Sequence, residues 1–443
     1  MLIILLVAAG IILAIIIFFF NLGNTQEKPH LQVPADKQLK IELVAEGLSF
    51  PTSMEFIDNS NSILVLEKDK GTVRLVSSLN GTVQEEPVLK VQVDNEAERG
   101  LLGIAITGNV DRTRNASYII ITPANNERKT VTVFLYFTEK YKQEKNDGEK
   151  QLLRNRVYSY EWNGKKLVNP ILILDLPAEP GPYHQGGKLK IGPDNNLYAV
   201  IGDLNTITGV LQNYKNGTQP NDSSVIFRVN LDNGSAITDN NNNSFSNSNA
   251  DEILHRYYAY GIRNSFGIDF DPVTGKLWDT ENGEDSYDEI NLVEPGFNSG
   301  WAQVMGPMSR NNNNSIEQDL IIFLGSNYAD PVFSWKEQIG VTDIEFFNST
   351  KLGPIYTNNI FIGDINNGNL YHFEVNNNRT GLKFAQDNNN GRGLDDLVAD
   401  NMDELSAITF GTGFGRITDI ETGPDGFLYV LSYEEGKIYR ITS

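Results

Sequence analysis

Short apolar runs, each only a few residues long and bounded by turn residues, recur from Leu39 to the end of the chain. Ile63-Leu64-Val65-Leu66, Tyr118-Ile119-Ile120-Ile121 and Val131-Thr132-Val133-Phe134-Leu135-Tyr136 are aliphatic, β-branched or aromatic, the side chains that pack on a pleated surface. Asp58-Asn59, Lys70-Gly71, Asn80-Gly81 and Asn163-Gly164 punctuate such runs. No stretch of this body sustains a 3.6-residue apolar period, so very little helix is expected. A turn-strand unit also repeats. Gly192-Pro193-Asp194-Asn195-Asn196-Leu197-Tyr198 matches Gly423-Pro424-Asp425-Gly426-Phe427-Leu428-Tyr429, with looser copies at Asp271 to Trp278 and Asn367 to Tyr371. Recurrence of this kind implies small antiparallel sheets repeated radially, an all-β propeller of about six blades. A stacked solenoid fits less well, because the copies are irregularly and widely spaced.

The N-terminus is of another kind. Leu2 to Phe20 is one uninterrupted apolar run, which as a helix would span roughly 30 Å, the thickness of a bilayer core. It lacks the basic start and small-residue cleavage site of a signal peptide. Residues 1–20 are therefore expected to form a transmembrane or signal-anchor helix, with a cleaved signal as the alternative and secretion as its consequence. Residues 21–38, polar and carrying Pro29 and Pro34, read as a tether, and 39–443 as the propeller.

The net charge of −21 argues against nucleic acid, whose phosphates need clustered Lys and Arg. With no cysteine, disulfides, thiolate metal sites and cysteine nucleophiles are excluded. Asn-x-Ser/Thr sequons at Asn80, Asn115, Asn216, Asn221, Asn233, Asn242, Asn313, Asn348 and Asn378 suggest a glycosylated body outside the membrane, although chance matches are expected in so Asn-rich a chain. Lys28, Lys37 and Lys40 after the apolar run would by themselves favour the opposite orientation. Asp239 to Asp251 and Asn311 to Asn314 are low-complexity tracts that read as insertions, with a calcium loop as the alternative.

Three segments carry candidate chemistry. His184, in Tyr183-His184-Gln185-Gly186-Gly187, combines an imidazole able to act as a general base near neutral pH with paired glycines that would allow a ligand close to the backbone. An ordinary loop histidine is the alternative. Arg263-Asn264 offers a planar cationic fork and an amide, suited to a carboxylate or quinone oxygen, or else a structural Arg pairing with a loop carboxylate. Thr280 to Asn291 gathers oxygen-bearing side chains around Gly283, as a hard cation such as Ca²⁺ prefers, although an acidic surface loop would look the same.

Taken in order, Glu98-Arg99-Gly100-Leu101-Leu102-Gly103-Ile104-Ala105, His184-x-Gly-Gly, Gly202-Asp203, Arg263-Asn264, Asp288-Glu289-Ile290-Asn291 and Pro295-Gly296-x-Asn298-x-Gly300-Trp301 resemble the soluble pyrroloquinoline quinone (PQQ)-dependent glucose/sorbosone, or aldose sugar, dehydrogenases, from about Leu39 to Ser443. The resemblance implies oxidation of the C1 hydroxyl of an aldose to the lactone, with PQQ and Ca²⁺ as cofactors and an external electron acceptor. It makes His184 the base and places Arg263 and Asn264 against the quinone oxygens. Glu98 and Asn282 fall near the cofactor, Arg416 falls on one of its carboxylates, and the main-chain oxygens of Gly283 and Glu284 fall on Ca²⁺. Two expected cations are missing, at Thr418 and near Ile365 or Asn366, and Tyr183 stands where some members have Asp. The alternative, seen in relatives such as the hedgehog-interacting protein, is a propeller that only binds, with a degraded cofactor site. The sugar and the oligomeric state are not encoded legibly.

Overall fold

The computed structural model describes residues 31–33, 38–57, 61–107, 131–145, 148–237, 245, 252–311, 316–384 and 393–443. The expected anchor Leu2–Phe20, most of the tether, the run Tyr118–Ile121, the turn Asp58-Asn59 and the sequons at Asn115, Asn242 and Asn313 lie outside these residues. Among the described residues no helix is long and apolar enough to cross a membrane. What helix they contain consists of short 3-10 turns and the four-residue α-helix Ile316–Asp319.

The strands form an all-β propeller whose members fall into six sheets. The sheets open with Pro51–Phe56, Leu101–Thr107, Leu189–Ile191, Ser265–Phe270, Val341–Phe347 and Ile417–Thr422. These opening strands lie side by side in chain order, and the last meets the first. The final sheet is completed from the other end of the chain, Lys40–Ala45 pairing antiparallel with Lys437–Thr442 so that Lys40 faces Thr442. Antiparallel neighbours joined by short turns need only local connections, and the Gly-Pro-Asp units supply them. The copies at Gly192, Asp271 and Gly423 all turn the first strand of a sheet into the second. The copy at Asn367 joins the second strand of its sheet to the third, Asn359–Asp364 to Leu370–Phe373. The expected run Val131 to Tyr136 is the start of a longer hairpin, Val131–Lys145 against Gly148–Trp162.

Apolar side chains fill the space between sheets, with Trp278, Trp335, Tyr371 and Phe333 among the fully buried ones. The axis is polar. Each opening strand is an edge strand whose inward N–H groups lack a ladder partner, and an unpaired buried N–H is costly. Carboxylates on the neighbouring opening strand accept them: Met54 N donates to Asp419 (2.7 Å), Ile420 N to Asp343 (3.0 Å), Thr422 N to Glu345 (3.0 Å) and Phe346 N to Asp269 (2.7 Å). Hydrogen bonds to charged groups contribute about 1.5–3 kcal/mol each. Lys188 bridges Asp343 (2.7 Å) and Asp419 (2.6 Å), and Lys190 bridges Asp269 (2.9 Å) and Glu345 (3.5 Å). Burial by itself would lower the Lys188 pKa, but the charges of Asp343, Asp419 and Glu421 outweigh it and keep the side chain cationic.

Candidate active site

A cavity of about 290 Å³ opens at one end of the axis. Thr52, Ser53, Leu102, Lys188, Phe266, Thr342 and Thr418 line it, so it sits where all six opening strands begin. Glu98, Gly186, Ile365, Arg416, Tyr433 and Lys68 complete much of its wall. Of the expected site residues, Glu98 and Arg416 line the cavity directly. His184, Arg263 and Asn264 stand in a network that reaches the cavity through Glu98.

That network brings together segments far apart in sequence. Glu98 Oε2 accepts the main-chain N–H of His184 (2.6 Å) and of Gln185 (3.3 Å), and also Asn264 Nδ2 (3.3 Å). Burial pushes the Glu98 carboxyl above its usual range, against the opposing charge of His184 and these hydrogen bonds. His184 itself is 9% exposed, with its backbone in the left-handed region at φ 58°. A side-chain-bearing residue held there signals a local constraint that the surroundings enforce. The constraint is visible: Arg99 donates to Ala178 O (2.8 Å), Asn155 to Gln185 Oε1 (2.8 Å) and Tyr136 OH to Gln185 O (3.0 Å), fixing the loop from both sides.

Asp203 orients the imidazole. Its Oδ1 lies 2.5 Å from His184 Nδ1, and the same carboxylate accepts Asn205 N (2.7 Å) and Trp301 Nε1 (2.8 Å). A carboxylate at Nδ1 fixes the proton there and leaves Nε2 with its lone pair, the arrangement a base requires. In the sequence Gly202-Asp203 and Trp301 stand only as motif residues, with no role legible for either. Gly202 is glycine because a Cβ there would lie 2.4 Å from Arg263 O and 2.6 Å from His184 O. It lets those two backbones meet, and Asp203 N donates to Arg263 O (2.9 Å).

The glycines after His184 make room for neighbouring segments of the protein itself. A Cβ on Gly186 would lie 2.7 Å from Val200 O, and one on Gly187 would lie 2.6 Å from Leu102 Cβ. They admit neighbouring strands as well as space, although Gly186 does line the cavity.

Arg263 does not take the structural pairing with a loop carboxylate. Its Nη1 donates to Asn282 O (2.9 Å), its guanidinium lies over the Trp301 ring (5.3 Å), and its Nε is buried without a partner. Asn264 Oδ1 is likewise buried and unpartnered. Asn282 is committed to the fold: its side chain donates to Val341 O (2.9 Å). The acidic segment Thr280 to Asn291 is largely interior, with Glu281, Asp288 and Glu289 buried and Glu284 and Asp285 exposed. Asp288 pins the turn by accepting Gly283 N (3.1 Å), Ile339 N (2.8 Å) and Gly340 N (2.7 Å). Gly283 O accepts Gln338 Nε2 (2.7 Å) and keeps a second lone pair. Among the described residues no cluster of three or more His, Cys, Asp or Glu side chains is arranged to hold a metal ion. Arg416 is half-exposed and paired with Glu434 (3.4 Å).

A propeller with a cavity at the end of its axis, and beside it a carboxylate-oriented histidine and an arginine whose Nε is buried without a partner, defines the class: a propeller with an acid–base site at one end of its axis. The chain belongs to the family described as Glucose / Sorbosone dehydrogenase, which it matches over residues 48–440. It is 28% identical over 268 residues to an aldose sugar dehydrogenase of Escherichia coli, covering 60% of this chain and 62% of that one. It is 29% identical over 261 residues to the quinoprotein glucose dehydrogenase B of Acinetobacter calcoaceticus, covering 56% and 49%. The matches thus span less than two thirds of either relative. Among solved structures, the PQQ-bound aldose sugar dehydrogenase of Streptomyces coelicolor shares the fold, with a TM-score of 0.62 at 20% identity over 93% of this chain and 99% of that one. These three are sugar dehydrogenases, as the resemblance implied, and they favour an oxidoreductase over the binding module.

Proposed function

We propose that this protein oxidises the C1 hydroxyl of an aldose to the lactone on a six-bladed propeller, with PQQ and Ca²⁺ as cofactors. The observation that carries the reading is the His184–Asp203 pair, joined to the cavity wall through Glu98, in a network that also holds an unpartnered guanidinium nitrogen on Arg263 and an unpartnered amide oxygen on Asn264. Buried polar atoms without partners are uncommon and call for an explanation such as a missing ligand. An ortho-quinone with carboxylates offers acceptors for Arg263 Nε, and of the cations in the cavity wall Lys68 and Arg416 are not held between two carboxylates as Lys188 is. The residues therefore fit the cofactor. PQQ, when bound, supplies the two-electron acceptor for the C1–H bond.

The chain's own residues do the rest. His184 Nε2 takes the proton of the C1 hydroxyl as the C1–O bond becomes a carbonyl, and Asp203 steadies the resulting imidazolium. Arg263 presents a preorganised positive charge where negative charge accumulates. The Gly283 and Glu284 main-chain oxygens are the proposed Ca²⁺ ligands, hard donors suited to that ion, held in place through Asp288. With Leu2–Phe20 as an anchor, the catalytic body would stand outside the membrane and pass electrons to an external acceptor.

The test is to supply the full-length protein with PQQ and Ca²⁺ and follow dye reduction with a panel of aldoses. Turnover that requires PQQ, and that chelation abolishes, is the expected result. No turnover with any aldose would overturn the reading.

A further inference from the structure

The cavity has three cationic side chains in its wall, and they are not equally available. Lys188 is buried between two carboxylates, Asp343 and Asp419, which more than balance its charge. Arg416 is half in solvent and leans on Glu434. Lys68 differs from both. Its side chain is 7% exposed, and its ion pair is with the adjacent Asp69 at 2.8 Å, a residue one third exposed. An ion pair with a partner so wetted contributes little.

Lys68 is placed with care by the backbone around it. Its N–H donates to Phe50 O (3.2 Å), and its carbonyl accepts Leu101 N (3.1 Å), so it is wedged where the first sheet meets the second. Gly100, at φ 151°, is what makes room: a Cβ there would lie 2.5 Å from Lys68 Cγ. Thr418 approaches the same segment from the last sheet, its hydroxyl donating to Pro51 O (2.9 Å). Tyr433 closes the corner, its ring 5.2 Å from that of Phe50 and its N–H on Arg416 O (2.7 Å). Lys68, Thr418, Tyr433 and Arg416 thus share one corner of the cavity, in which Thr418 and the nearby wall residue Ile365 are uncharged.

Resting on the proposed cofactor, we infer that Lys68, together with Arg416, binds the carboxylates of PQQ in this corner. A buried carboxylate without a cation is strongly disfavoured, and Lys188 is already spent on Asp343 and Asp419. On ligand binding the Lys68 ammonium exchanges its exposed partner Asp69 for a buried one. Asp69 is then a competitor for the same ammonium, and its removal strengthens the site.

The experiment is an equilibrium titration of PQQ into the full-length protein at fixed Ca²⁺, read by quenching of intrinsic fluorescence, without substrate. Lys68→Gln is expected to raise the PQQ Kd at least tenfold, and Asp69→Asn to lower it severalfold. The trimethyl ester of PQQ, which lacks the anionic charge, is the control ligand, and its Kd should respond little to either change. Unchanged PQQ affinity in Lys68→Gln with tight wild-type binding would overturn the inference and leave the proposed function standing. An equal loss for the ester would overturn it too, because it would assign Lys68 to shape alone. Absence of PQQ binding by the wild-type protein would overturn both. Should Lys68→Gln fail to fold, Asp69→Asn decides: tighter binding supports the inference, and unchanged or weaker binding overturns it.

Discussion

The Lys188 cluster and the His184 cluster reach the same cavity from either end of one short stretch of chain, yet they are finished to different degrees. Around Lys188 the charges are answered: one ammonium meets Asp343 and Asp419, and those carboxylates in turn accept Ile420 N and Met54 N from neighbouring opening strands, with Asp343 Oδ1 held by the ion pair although it makes no hydrogen bond. Around His184 the network stays open. Arg263 Nε and Asn264 Oδ1 are buried and unpartnered, and His184 is held at a positive φ. Closed networks hold sheets to sheets, whereas open and strained ones await something else. The comparison predicts that substitutions in the two clusters separate cleanly into loss of rate and loss of stability.

The largest effect is expected at His184. His184→Ala removes the proposed base, a loss that typically costs on the order of 10² to 10⁴ in rate. PQQ affinity and the midpoint of urea unfolding should stay close to those of the wild type. A variant that loses its fold rather than its turnover would break the comparison, because it would make His184 a structural residue.

Lys188→Met should do the reverse. It leaves Asp343 and Asp419 facing one another in the interior, and removing one partner of a buried ion pair costs about 3–5 kcal/mol. Urea unfolding should show this loss in the protein without cofactor. The companion Lys188→Met/Asp419→Asn should recover part of it, since only one carboxylate then remains uncompensated.

Asp203→Asn comes next. The amide can present its NH₂ to His184 Nδ1 and so favour the tautomer with the proton on Nε2, where a base cannot have it. A positioning partner of this kind is worth roughly 10- to 100-fold. The loss should fall on kcat with KM little changed, and His184→Ala/Asp203→Asn should be no slower than His184→Ala alone, because Asp203 acts only through the imidazole.

How much of this could be read from the chain depends on how local the cause is. The propeller was legible because its turns are local: Gly192-Pro193-Asp194 and Gly423-Pro424-Asp425 mark corresponding hairpins in two sheets. His184, Glu98, Arg263 and Asn264 were legible as an ordered set of motifs, and the structure joins them. The partner of His184 was on the page as Gly202-Asp203, but nothing in the spacing of Asp203 says which histidine it faces. The axial carboxylates were missed although they carry a signal, the quartet Thr-Asp-Ile-Glu at Thr342–Glu345 and again at Thr418–Glu421. In an alternating strand those acids share one face, and only closure of the ring shows that the face is the axis. Lys68 was invisible for the same reason: it needs Thr418, some 350 residues away, brought beside Pro51. The place of Asn282 in a motif says nothing of the Val341 carbonyl that its amide meets.

Other buried polar atoms also lack a hydrogen bond, and one of them, outside the His184 network, sharpens the comparison by being a control. His372 Nε2 also lacks a hydrogen bond, but it lies on the strand Leu370–Phe373 among Tyr356, Phe361 and Phe410, with ring separations of 5.0, 5.1 and 6.4 Å, and not in the cavity wall. Burial depresses its pKa to about 4, only partly offset by the charge of Glu374. A histidine whose folded value lies below its unfolded value of about 6.5 binds its proton more readily when unfolded. Its neutral form therefore stabilises the fold above that value, and the contribution is lost as the pH falls from about 6.5 towards 4. Asp364, in the same sheet, works the other way: burial raises its carboxyl to about 6, so its contribution to stability falls as the pH rises from about 4 to 6. The two trends overlap, so the raw pH profile of the protein will hide both. The difference between wild type and His372→Phe cancels Asp364. Relative to the wild type, His372→Phe should gain about 1 kcal/mol as the pH is taken from 7 to 5.5, with turnover at neutral pH unchanged. A loss of PQQ affinity or rate in His372→Phe would mean that an unmet buried nitrogen reports on the site wherever it lies. No effect on either would confine that inference to atoms in the network that Glu98 joins to the cavity, where Arg263 and Asn264 stand.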